Sequence, residues 1–502
     1  MAKRTRIVCS LGPAVDSAST LRGLILVGMD VARIDASTGS LEQCVARIER
    51  LKKVRQEIDS SCAIMLDTRG PEIRVGNLVE GKPVLLRAGD HFTLTEEQGE
   101  GSSRCVWQSC RGLADFVEPG AIILLDGGVI ELAVDDTHAG NIFCTVQTSG
   151  KLRPGASVNL PGTTVPLPIL TDADREAIIM GVHEGVDFVG ASFVRSGDDV
   201  RKVRMFLDAN GGAGVKVIAK IETAAAVENL EDVVEAADAV MVSRGILGIE
   251  MDPYDVPHIQ KAIIRACNER NKPVITATQM LDSMRRNPAP TRAEVGDVAN
   301  AIFDGTDAVM LDSEIARGRY PVNAVQTMAR IAEASESHLY EDGDVRRREA
   351  SAIVAHSVVD SAVRTAEGTG AACIITPTTT GRTARLVSKL RPRVPVIAVT
   401  PSPAIMRSMQ LFWGVTPVLG ESGGDVVDVI ADAERQALRR GLVAVGDMAV
   451  VTGGDRTTSP RLDRTATSEL VVRADADPKA FAPTNVMYVV EISDTNTDRK
   501  DA

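Results

Sequence analysis

Short apolar runs rich in Val, Ile, Ala and Met recur along the first 345 residues of the chain. Most of them precede a segment whose apolar residues have the 3.6-residue spacing of a helix. Continuous apolar strands that alternate with helices are typical of a parallel sheet covered on both faces, and eight of them close a (β/α)8 barrel. The eight runs cover residues 6–11, 31–36, 63–67, 188–193, 215–221, 239–242, 274–277 and 308–311.

The pattern changes between residues 75 and 167, where short alternating runs, such as 84–95 and 141–148, are separated by Gly and Asp. This alternation predicts a small antiparallel β-barrel or sandwich. Because the segment follows the third strand, it is inserted at the C-terminal rim of the large barrel. It could close over an active site there.

The alternation of strands and helices resumes after residue 345 and predicts a doubly wound α/β domain. A polar segment at 453–483 is predicted to be a long loop, and the tail at 494–502 is predicted to be disordered. The predicted fold class is therefore α/β, with three domains. These are a (β/α)8 barrel (1–74 and 168–345), an inserted small β-barrel (75–167) and a C-terminal doubly wound α/β domain (346–493).

Composition and charge narrow the possible partners. The chain has 502 residues, with 68 acidic against 56 basic side chains and a formal net charge of −12. This balance argues against nucleic acid or an anionic membrane as the main partner, and no apolar run is long enough to span a bilayer. The start of the chain lacks a secretory signal pattern, and the eight cysteines form no C-x-x-C pair. We therefore expect a cytoplasmic protein with free thiols.

Polar residues at the ends of the predicted barrel strands are the candidates for catalysis, since barrel active sites lie at the C-terminal ends of the strands. Lys220 and Glu222 are two residues apart and share one face of a strand. A lysine there could stabilise developing negative charge, and a glutamate could hold a divalent metal. A salt bridge at the barrel rim explains the same pair without any catalysis.

Arg33, Asp35 and Ser37 share a face in the same way at the end of the second strand. A second polar group follows the third strand: Asp67, Thr68, Arg69, Glu72 and Arg74. Several arginines near barrel carboxylates predict a phosphate site, because the guanidinium group binds phosphate through two hydrogen bonds.

Three further segments are weaker candidates. The glycines of segment 243–250 could expose backbone N–H groups to an anion, or could simply mark a tight turn. Thr278 at the next strand end could relay a proton or cap a helix. Segment 378–385, with the sequence TTTGRTAR, has the composition of a phosphate-binding loop and equally that of an ordinary capped helix.

Motifs along the whole chain resemble the pyruvate kinase family. In chain order they are TRIVCSLGPA, GMDVAR, LDTRGPEIR, VNLPG, LTDADREAI, ASFVR, AKIE, TATQMLDSM, PTRAEVGDVANAIFDGTDAVML and GRTARLVSKLRP. The resemblance implies transfer of a phosphoryl group from phosphoenolpyruvate to ADP, giving pyruvate and ATP. It also implies Mg²⁺ or Mn²⁺ and usually K⁺ as cofactors, and a homotetramer.

The resemblance also implies residue roles. Lys220 would stabilise the transferring phosphoryl group, Arg33 would hold phosphate, and Thr278 would lie near the enolate that is protonated. Gly245 and Ile246 would border the substrate. The remaining roles are a divalent-metal ligand (Glu222), monovalent-cation ligands (Asp35, Ser37, Asp67 and Thr68), nucleotide contacts (Pro13, Asp35 and Arg74) and a loop for a sugar-phosphate effector (Thr378, Thr380, Gly381, Arg382 and Thr383).

The chain departs from the family pattern in several places around this predicted site. The family motif R-G-D-L-G has Ile246 in place of its aspartate, which is a divalent-metal ligand in the family. Asp35 and Thr38 replace an asparagine and a histidine, Ala156 replaces a lysine, and the segment after the eighth strand begins with Asp312. A magnesium site of this type uses only one or two carboxylates, so losing one is a severe change.

Three functions therefore remain open. The first is a pyruvate kinase with full or reduced activity, in which Asp35 or Asp312 supplies replacement charge. The second is a catalytically impaired paralogue that acts as a binding or regulatory subunit. The third is an enzyme for a related phospho- or phosphono-enol acid.

Overall fold

Three strands and two helices begin the chain in the order that the apolar runs predict. The computed structural model describes residues 3–340, 353–421, 426–454 and 484–493. The first elements are β1 (Arg6–Ser10), α1 (Ala18–Leu26), β2 (Val31–Asp35), α2 (Leu41–Glu57) and β3 (Ala63–Asp67). Helix α2 begins at a capping box, in which Ser40 and Gln43 satisfy each other's backbone N–H groups.

The inserted segment forms a mostly antiparallel sheet, in which one pair of neighbouring strands is parallel. Its strands are β4 (Ile73–Arg74), β5 (Val84–Leu86), β6 (His91–Thr95), β7 (Cys105–Trp107), β8 (Ile122–Leu125), β9 (Ile130–His138), β10 (Asn141–Val146), β11 (Gly150–Leu152) and β12 (Ser157–Asn159). Seven of them pair in the order β4-β12-β8-β9-β10-β6-β7, and β5 pairs with β11. A single bridge between Val75 and Gln108 joins the two edges of the sheet around a buried apolar core, so the sheet closes on itself.

Five more parallel strands complete the large barrel: β13 (Phe188–Ala191), β14 (Lys216–Ile221), β15 (Ala239–Ser243), β16 (Val274–Ala277) and β17 (Ala308–Leu311). The closed strand order is β1-β17-β16-β15-β14-β13-β3-β2. The helices here are α3 (Asp172–His183), α4 (Gly197–Ala209), α5 (Ala224–Glu228), α6 (Leu230–Ala236), α7 (Arg244–Glu250), α8 (Val256–Glu269), α9 (Arg292–Asp304), α10 (Ser313–Ala316) and α11 (Pro321–His338). This confirms the predicted (β/α)8 barrel.

The C-terminal region is a five-stranded sheet with helices. Its elements are α12 (Val354–Thr369), β18 (Cys373–Pro377), α13 (Arg382–Lys389), β19 (Val396–Thr400), α14 (Pro403–Ser408), β20 (Val415–Leu419), α15 (Val426–Arg439), β21 (Met448–Gly453) and β22 (Val486–Glu491). The strand order is β20-β19-β18-β21-β22, with β22 antiparallel to its neighbour. Since the order reverses at β18, the sheet is doubly wound, as predicted.

The C-terminal region packs against the N-terminal end of the large barrel. Leu411, from the segment before β20, is buried among the side chains that fill the barrel interior, such as Val8 and Met65. Complete burial of one leucine contributes about 1.5–3 kcal/mol. The opposite, C-terminal end of the barrel is therefore the end left open for a site.

Four aspartates at this N-terminal end have the same surroundings. Each directly precedes a barrel strand, and together they precede the second, fourth, sixth and eighth strands along the chain. Each accepts a hydrogen bond from a backbone N–H of the preceding barrel strand, at 2.8–3.0 Å. Each also lies within 4.0 Å of two cationic side chains. The four residues are Asp30, Asp187, Asp238 and Asp307.

Some predictions fall outside the part of the chain that the structure describes. These are the predicted boundary at residues 345 and 346, most of the predicted loop at 453–483 and the predicted tail at 494–502. Within the described ranges, the helices are too short or too polar to cross a membrane.

Candidate active site

The polar residues at the strand ends converge on the mouth of the large barrel. Asp35 ends β2, Asp67 ends β3, and Lys220 lies one residue before the end of β14. Thr278 follows β16 and Asp312 follows β17. Because the C-terminal ends of parallel strands meet at one rim, residues far apart in the sequence become neighbours.

Asp67 lies at the centre of this cluster. Its Oδ2 accepts hydrogen bonds from Arg33 Nε at 2.6 Å and from Lys220 Nζ at 3.2 Å. Its Oδ1 is buried and, among the described residues, has no hydrogen-bond partner. Burial raises the pKa of Asp67 even though both neighbouring cations act to lower it. The carboxylate therefore has unused capacity for a further positive charge.

Arg33 contacts two further carboxylates. Its Nη1 lies 3.0 Å from Asp312 Oδ1, and its Nη2 lies 3.4 Å from Asp35 Oδ2. Nη1 also donates to Ser10 Oγ at 2.8 Å. Burial raises the pKa of Asp35, but Arg33 and the hydrogen bonds from Ser37 outweigh it, so this pKa is lowered overall. The guanidinium group is thus held at the rim by acidic groups on three strand ends.

Lys220 has three polar contacts. Its Nζ donates to Asp67 Oδ2 at 3.2 Å and to Ser192 Oγ at 2.8 Å, and it forms an ion pair with Glu222 Oε1 at 3.2 Å. Burial lowers the pKa of Lys220, but the two carboxylates outweigh it and raise this pKa overall. The side chain is therefore a charged ammonium at neutral pH. The predicted pair of Lys220 and Glu222 is in contact.

The mouth has more negative than positive charge. Four carboxylates share only two cationic side chains within ion-pair distance in the described ranges: Asp35, Asp67, Glu222 and Asp312 with Arg33 and Lys220. Such an excess favours binding of cations from solution.

A cavity of about 350 Å³ opens beside Arg33. Its lining includes Pro13, Arg33, Asp35 and Asp312, together with Gly39 at the start of α2. The cavity is within the 300–1,000 Å³ typical of small-molecule sites. The structure therefore brings two of the three predicted nucleotide contacts, Pro13 and Asp35, to one cavity.

The third predicted nucleotide contact, Arg74, does not line this cavity. It lies on β4, which pairs with β12 of the inserted sheet although the predicted boundary put residue 74 in the barrel domain. Its guanidinium group pairs with Glu72 at 2.6 Å and donates to Gly155 O at 2.7 Å. Ala156 is the next residue and is buried.

Thr278 and helix α7 form the opposite side of the mouth. Thr278 has a φ of +71°, a backbone conformation that is strained for a β-branched residue by about 1–3 kcal/mol. Its Oγ1 accepts the N–H of Gly245 at 2.8 Å, and its carbonyl oxygen accepts from Arg244 at 2.6 Å. Ile246 follows in the first turn of α7 and is half-buried. The strained turn thus holds Thr278 against the glycine that precedes Ile246.

The described residues do not build a divalent-metal site on their own. Within the described ranges, no group of three or more His, Cys, Asp or Glu side chains could hold a metal ion. Glu222 Oε2 already accepts from the N–H of Phe193 at 2.8 Å, and its Oε1 contacts Lys220. Ile246 offers no oxygen. A divalent ion would therefore need most of its ligands from water and substrate.

A monovalent cation fits the residues better. The orphaned Oδ1 of Asp67 is buried beside Thr68, whose carbonyl oxygen accepts only one hydrogen bond among the described residues, from Ser192 at 2.7 Å. Asp35 and Ser37 are joined by a hydrogen bond of 2.8 Å on the neighbouring strand end. Oxygen donors with spare lone pairs are the ligands that hard cations prefer.

The predicted effector loop lies in the C-terminal domain, away from the mouth. Thr378 Oγ1 accepts the N–H of Gly381 at 2.9 Å, and Thr380 Oγ1 accepts the N–H of Arg382 at 3.4 Å. Thr383 is buried, and its hydroxyl lies 2.8 Å from that of Thr484. The threonine hydroxyls therefore bond within the turn before α13, whose N-cap residue is Gly381 and has no side-chain cap.

Sequence reasoning missed two residues of the mouth. Ser10 and Ser192 are buried and contact Arg33 and Lys220 through their hydroxyl oxygens. Both lie at or just after a barrel strand end, so the rule that found Lys220 would also have found them.

The fold and the mouth together define a class of protein: a (β/α)8-barrel enzyme, with Arg33, Lys220 and several carboxylates beside a small-molecule cavity at the C-terminal ends of the strands. The family model described as "Pyruvate kinase, barrel domain" matches residues 2–325, and "Pyruvate kinase, alpha/beta domain" matches residues 356–464. The chain belongs to the pyruvate kinase family.

Individual relatives agree with this assignment. The chain is 42% identical over 456 residues to a pyruvate kinase of Sporosarcina psychrophila, and 44% identical over 463 residues to one of Geobacillus stearothermophilus. Each alignment covers 90% of this chain and 78% of the relative. A crystal structure of a pyruvate kinase from Cryptosporidium parvum superimposes with a TM-score of 0.85 at 34% identity, covering 98% of this chain and 96% of that one. These relatives support phosphotransferase activity of the pyruvate kinase type.

Proposed function

We propose that this protein transfers the phosphoryl group of phosphoenolpyruvate to ADP at the mouth of its large barrel. One observation carries the proposal: Arg33 and Lys220 both contact Oδ2 of Asp67, and Arg33 lines a cavity of about 350 Å³, a volume typical of small-molecule sites. Two cations fixed side by side suit a substrate with phosphate and carboxylate groups.

The reaction assigns a role to each of these groups. The bond between phosphorus and the enol oxygen breaks, a bond forms from phosphorus to a terminal oxygen of ADP, and the enolate takes a proton on its methylene carbon. Lys220 stabilises the charge of the transferring group, and Arg33 holds a phosphate. Thr278 lies across the mouth and helps to deliver the proton, while Gly245 and Ile246 border the substrate.

The nucleotide occupies the cavity beside Pro13 and Asp35. Arg74 does not line that cavity, and its role as a nucleotide contact rests on the family resemblance alone. The family relation implies dependence on a divalent metal and on K⁺ in general. We assign K⁺ to the oxygens of Asp67, Thr68, Ser37 and Asp35. Bound there, K⁺ supplies positive charge that balances the excess of carboxylates.

For the divalent ion, Mg²⁺ or Mn²⁺, this chain contributes a single candidate carboxylate, Glu222. The family resemblance further implies a cytoplasmic homotetramer with an effector loop formed by Thr378, Thr380, Gly381, Arg382 and Thr383.

A second candidate function follows from Ile246. With one metal carboxylate missing, the mouth could bind a phosphorylated or phosphonylated enol acid through Arg33 and Lys220 without transferring the group. The protein would then be a binding or regulatory subunit. If the mouth instead acts on such an acid, the protein would be an enzyme for an enol acid other than phosphoenolpyruvate.

Pyruvate and ATP measured together separate these functions. Purified protein with Mg²⁺ or Mn²⁺ and K⁺ should form the two products in equal amounts from phosphoenolpyruvate and ADP. A Lys220→Met variant provides the control, because it removes the ammonium but keeps the length of the side chain. Equal amounts of product from both proteins would exclude the proposed transfer. Binding of phosphoenolpyruvate without turnover would support the second candidate.

A further inference from the structure

The hydroxyl of Ser192 forms hydrogen bonds to two parts of the mouth, the backbone after β3 and the ammonium of Lys220. Ser192 directly follows β13, and its side chain is buried. Its Oγ lies 2.7 Å from the carbonyl oxygen of Thr68 and 2.8 Å from Lys220 Nζ. A carbonyl oxygen can only accept and an ammonium can only donate. The hydroxyl therefore donates to Thr68 and accepts from Lys220, with no alternative direction.

The contact with Ser192 is one of three polar contacts of Lys220. Nζ donates hydrogen bonds to Ser192 Oγ and Asp67 Oδ2, and it forms an ion pair with Glu222 Oε1. The bond to Ser192 is the shortest of these three contacts and the only one to a neutral group. It fixes the direction of the ammonium, whereas the two carboxylates on their own would leave it free to move between them.

Thr68 provides the other end of this connection. Its own hydroxyl is already used, because Oγ1 donates to Gly190 O at 3.0 Å and accepts the N–H of Ser192 at 3.2 Å. Its carbonyl oxygen keeps a second lone pair, and the preceding residue, Asp67, has an unpartnered Oδ1 among the described residues. A cation bound at these two oxygens would fix the carbonyl group to which Ser192 is bonded.

We infer that Ser192 is a positioning residue that couples a monovalent cation, held by Asp67 and Thr68, to the ammonium of Lys220. The inference rests on the proposed phosphoryl transfer and extends it to a residue that touches neither substrate nor cation. Because coupling is reciprocal, loss of the hydroxyl weakens both the placement of Lys220 and the response to the cation.

The test compares three variants with the native protein. Ser192→Ala removes the hydroxyl, and Ser192→Thr keeps it. Ser388→Ala is the matched control, because Ser388 is also buried and donates to a carbonyl oxygen, that of Trp413, at 2.7 Å in the C-terminal domain. Two readouts are needed: kcat and KM across K⁺ concentration, and the rise of Tm with K⁺ without substrates. Tetramethylammonium keeps the ionic strength constant.

We expect Ser192→Ala to lower kcat about 10–100-fold with little change in KM, because the loss is one of orientation. The K⁺ concentration for half activation should rise at least about fivefold, and the K⁺-dependent rise of Tm should shrink. Ser192→Thr should recover most of both effects. Ser388→Ala should lower Tm but leave kcat and the K⁺ response unchanged.

The inference is overturned if Ser192→Ala matches Ser388→Ala in kcat and in the K⁺ response. A native protein that forms no pyruvate contradicts the proposed function but leaves this test intact, since the Tm readout needs no turnover. In that case, the coupling is supported if K⁺ raises the Tm of the native protein and of Ser388→Ala but not that of Ser192→Ala. The coupling is refuted if K⁺ does not raise the Tm of the native protein. If Ser192→Ala does not fold, Ser192→Cys, with a weak S–H donor, makes the same comparison.

Discussion

The two ends of the large barrel use the same chemical groups in opposite proportion. At the N-terminal end, four aspartates each lie within 4.0 Å of two cationic side chains. At the mouth, four carboxylates share just Arg33 and Lys220 within the described part of the chain. The first end is internally neutralised, and the second needs charge from outside the chain. The presence of ion pairs therefore does not distinguish a structural cluster from a ligand site. The ratio of carboxylates to cationic side chains does.

Hydrogen bonding sharpens the same contrast. Each aspartate at the N-terminal end accepts a backbone N–H, which compensates for its burial. At the mouth, Asp67 Oδ1 has no partner among the described residues. A buried acceptor left without a partner costs about 1–3 kcal/mol. A bound cation would recover that free energy.

The pKa values of two fully buried aspartates follow this difference. Burial raises the pKa of both Asp67 and Asp307. At Asp307, Arg385 and Arg391 outweigh burial, so the pKa is lowered. At Asp67, the neighbouring carboxylates Asp35 and Glu222 add to burial, so the pKa is raised. For these two equally buried carboxylates, the neighbouring charges therefore decide whether the pKa is raised or lowered.

Removal of a cation from the mouth should have the largest effect. Lys220→Met leaves Asp67 and Glu222 with less positive charge and removes the ammonium that stabilises the transferring group. We expect pyruvate formation to fall by about 10²–10³-fold or more. The rate is measured per folded protein, with folding checked by circular dichroism. A rate within tenfold of the native protein would show that Lys220 is not part of the transfer.

Removal of a carboxylate from the N-terminal end should affect stability instead. Asp307→Asn leaves Arg385 and Arg391 buried without their carboxylate, and we expect a loss of about 3–5 kcal/mol in the free energy of unfolding. The rate per folded protein should stay unchanged. Urea unfolding and steady-state kinetics measure the two quantities. A large loss of rate with normal stability would contradict the contrast between the two ends.

The same variant predicts a pH effect. Because the pKa of Asp307 is lowered in the folded protein, its stabilising contribution is present at neutral pH. That contribution is lost as the pH falls below the ordinary value of 3.8 and through the folded pKa. In acid titrations of stability, the difference between the native protein and Asp307→Asn should therefore shrink below about pH 4.

Addition of a carboxylate at Ile246 should improve metal binding. We expect Ile246→Asp to raise the affinity for Mn²⁺ about 10–100-fold or more. Mutation of residues that merely hydrogen-bond to metal ligands already changes metal affinity by that factor, and the aspartate introduced at position 246 would be a ligand itself. Electron paramagnetic resonance of free Mn²⁺ measures this binding without turnover. Ile249→Asp is the matched control, because it adds the same charge to the same helix beside Gly127 of the inserted domain. Equal affinities of the two variants would mean that position 246 does not face the metal.

Asp312 should have the smallest effect. Its side chain is 42% exposed and shares Arg33 with two other carboxylates, so Asp312→Asn should change the free energy of unfolding by less than about 1 kcal/mol. Less competition for Arg33 should raise the affinity for inorganic phosphate about two- to fivefold. Calorimetric titration with phosphate checks this expectation, and weaker binding would contradict it.

The fold could be predicted largely from apolar periodicity, because the buried strands of a barrel are continuous apolar runs. Seven of the eight predicted runs contain a whole barrel strand, and the run 239–242 lies within β15. The failures occur where one residue changes the local geometry. The run 84–95 is two strands, β5 and β6, with Gly89 at a φ of +89° between them.

The site was predictable to the extent that its residues are charged and lie at strand ends. Arg33, Lys220 and Asp67 meet as expected, since the barrel topology brings those ends together. Arg74 lies away from the cavity because the inserted domain carries it. The direction of the Ser192 hydroxyl, and the balance of charge between the two barrel ends, depend on tertiary contacts that no sequence pattern records.

The most informative experiment is pyruvate formation by the native protein beside Ile246→Asp across a range of Mg²⁺ concentrations, with K⁺ present. We predict that the native protein turns over but saturates only at high Mg²⁺, and that the variant reaches a similar rate at a lower concentration. A silent native protein beside an active variant would show that the lost carboxylate disabled the enzyme. Silence of both proteins would contradict phosphoryl transfer to ADP as the function of this mouth.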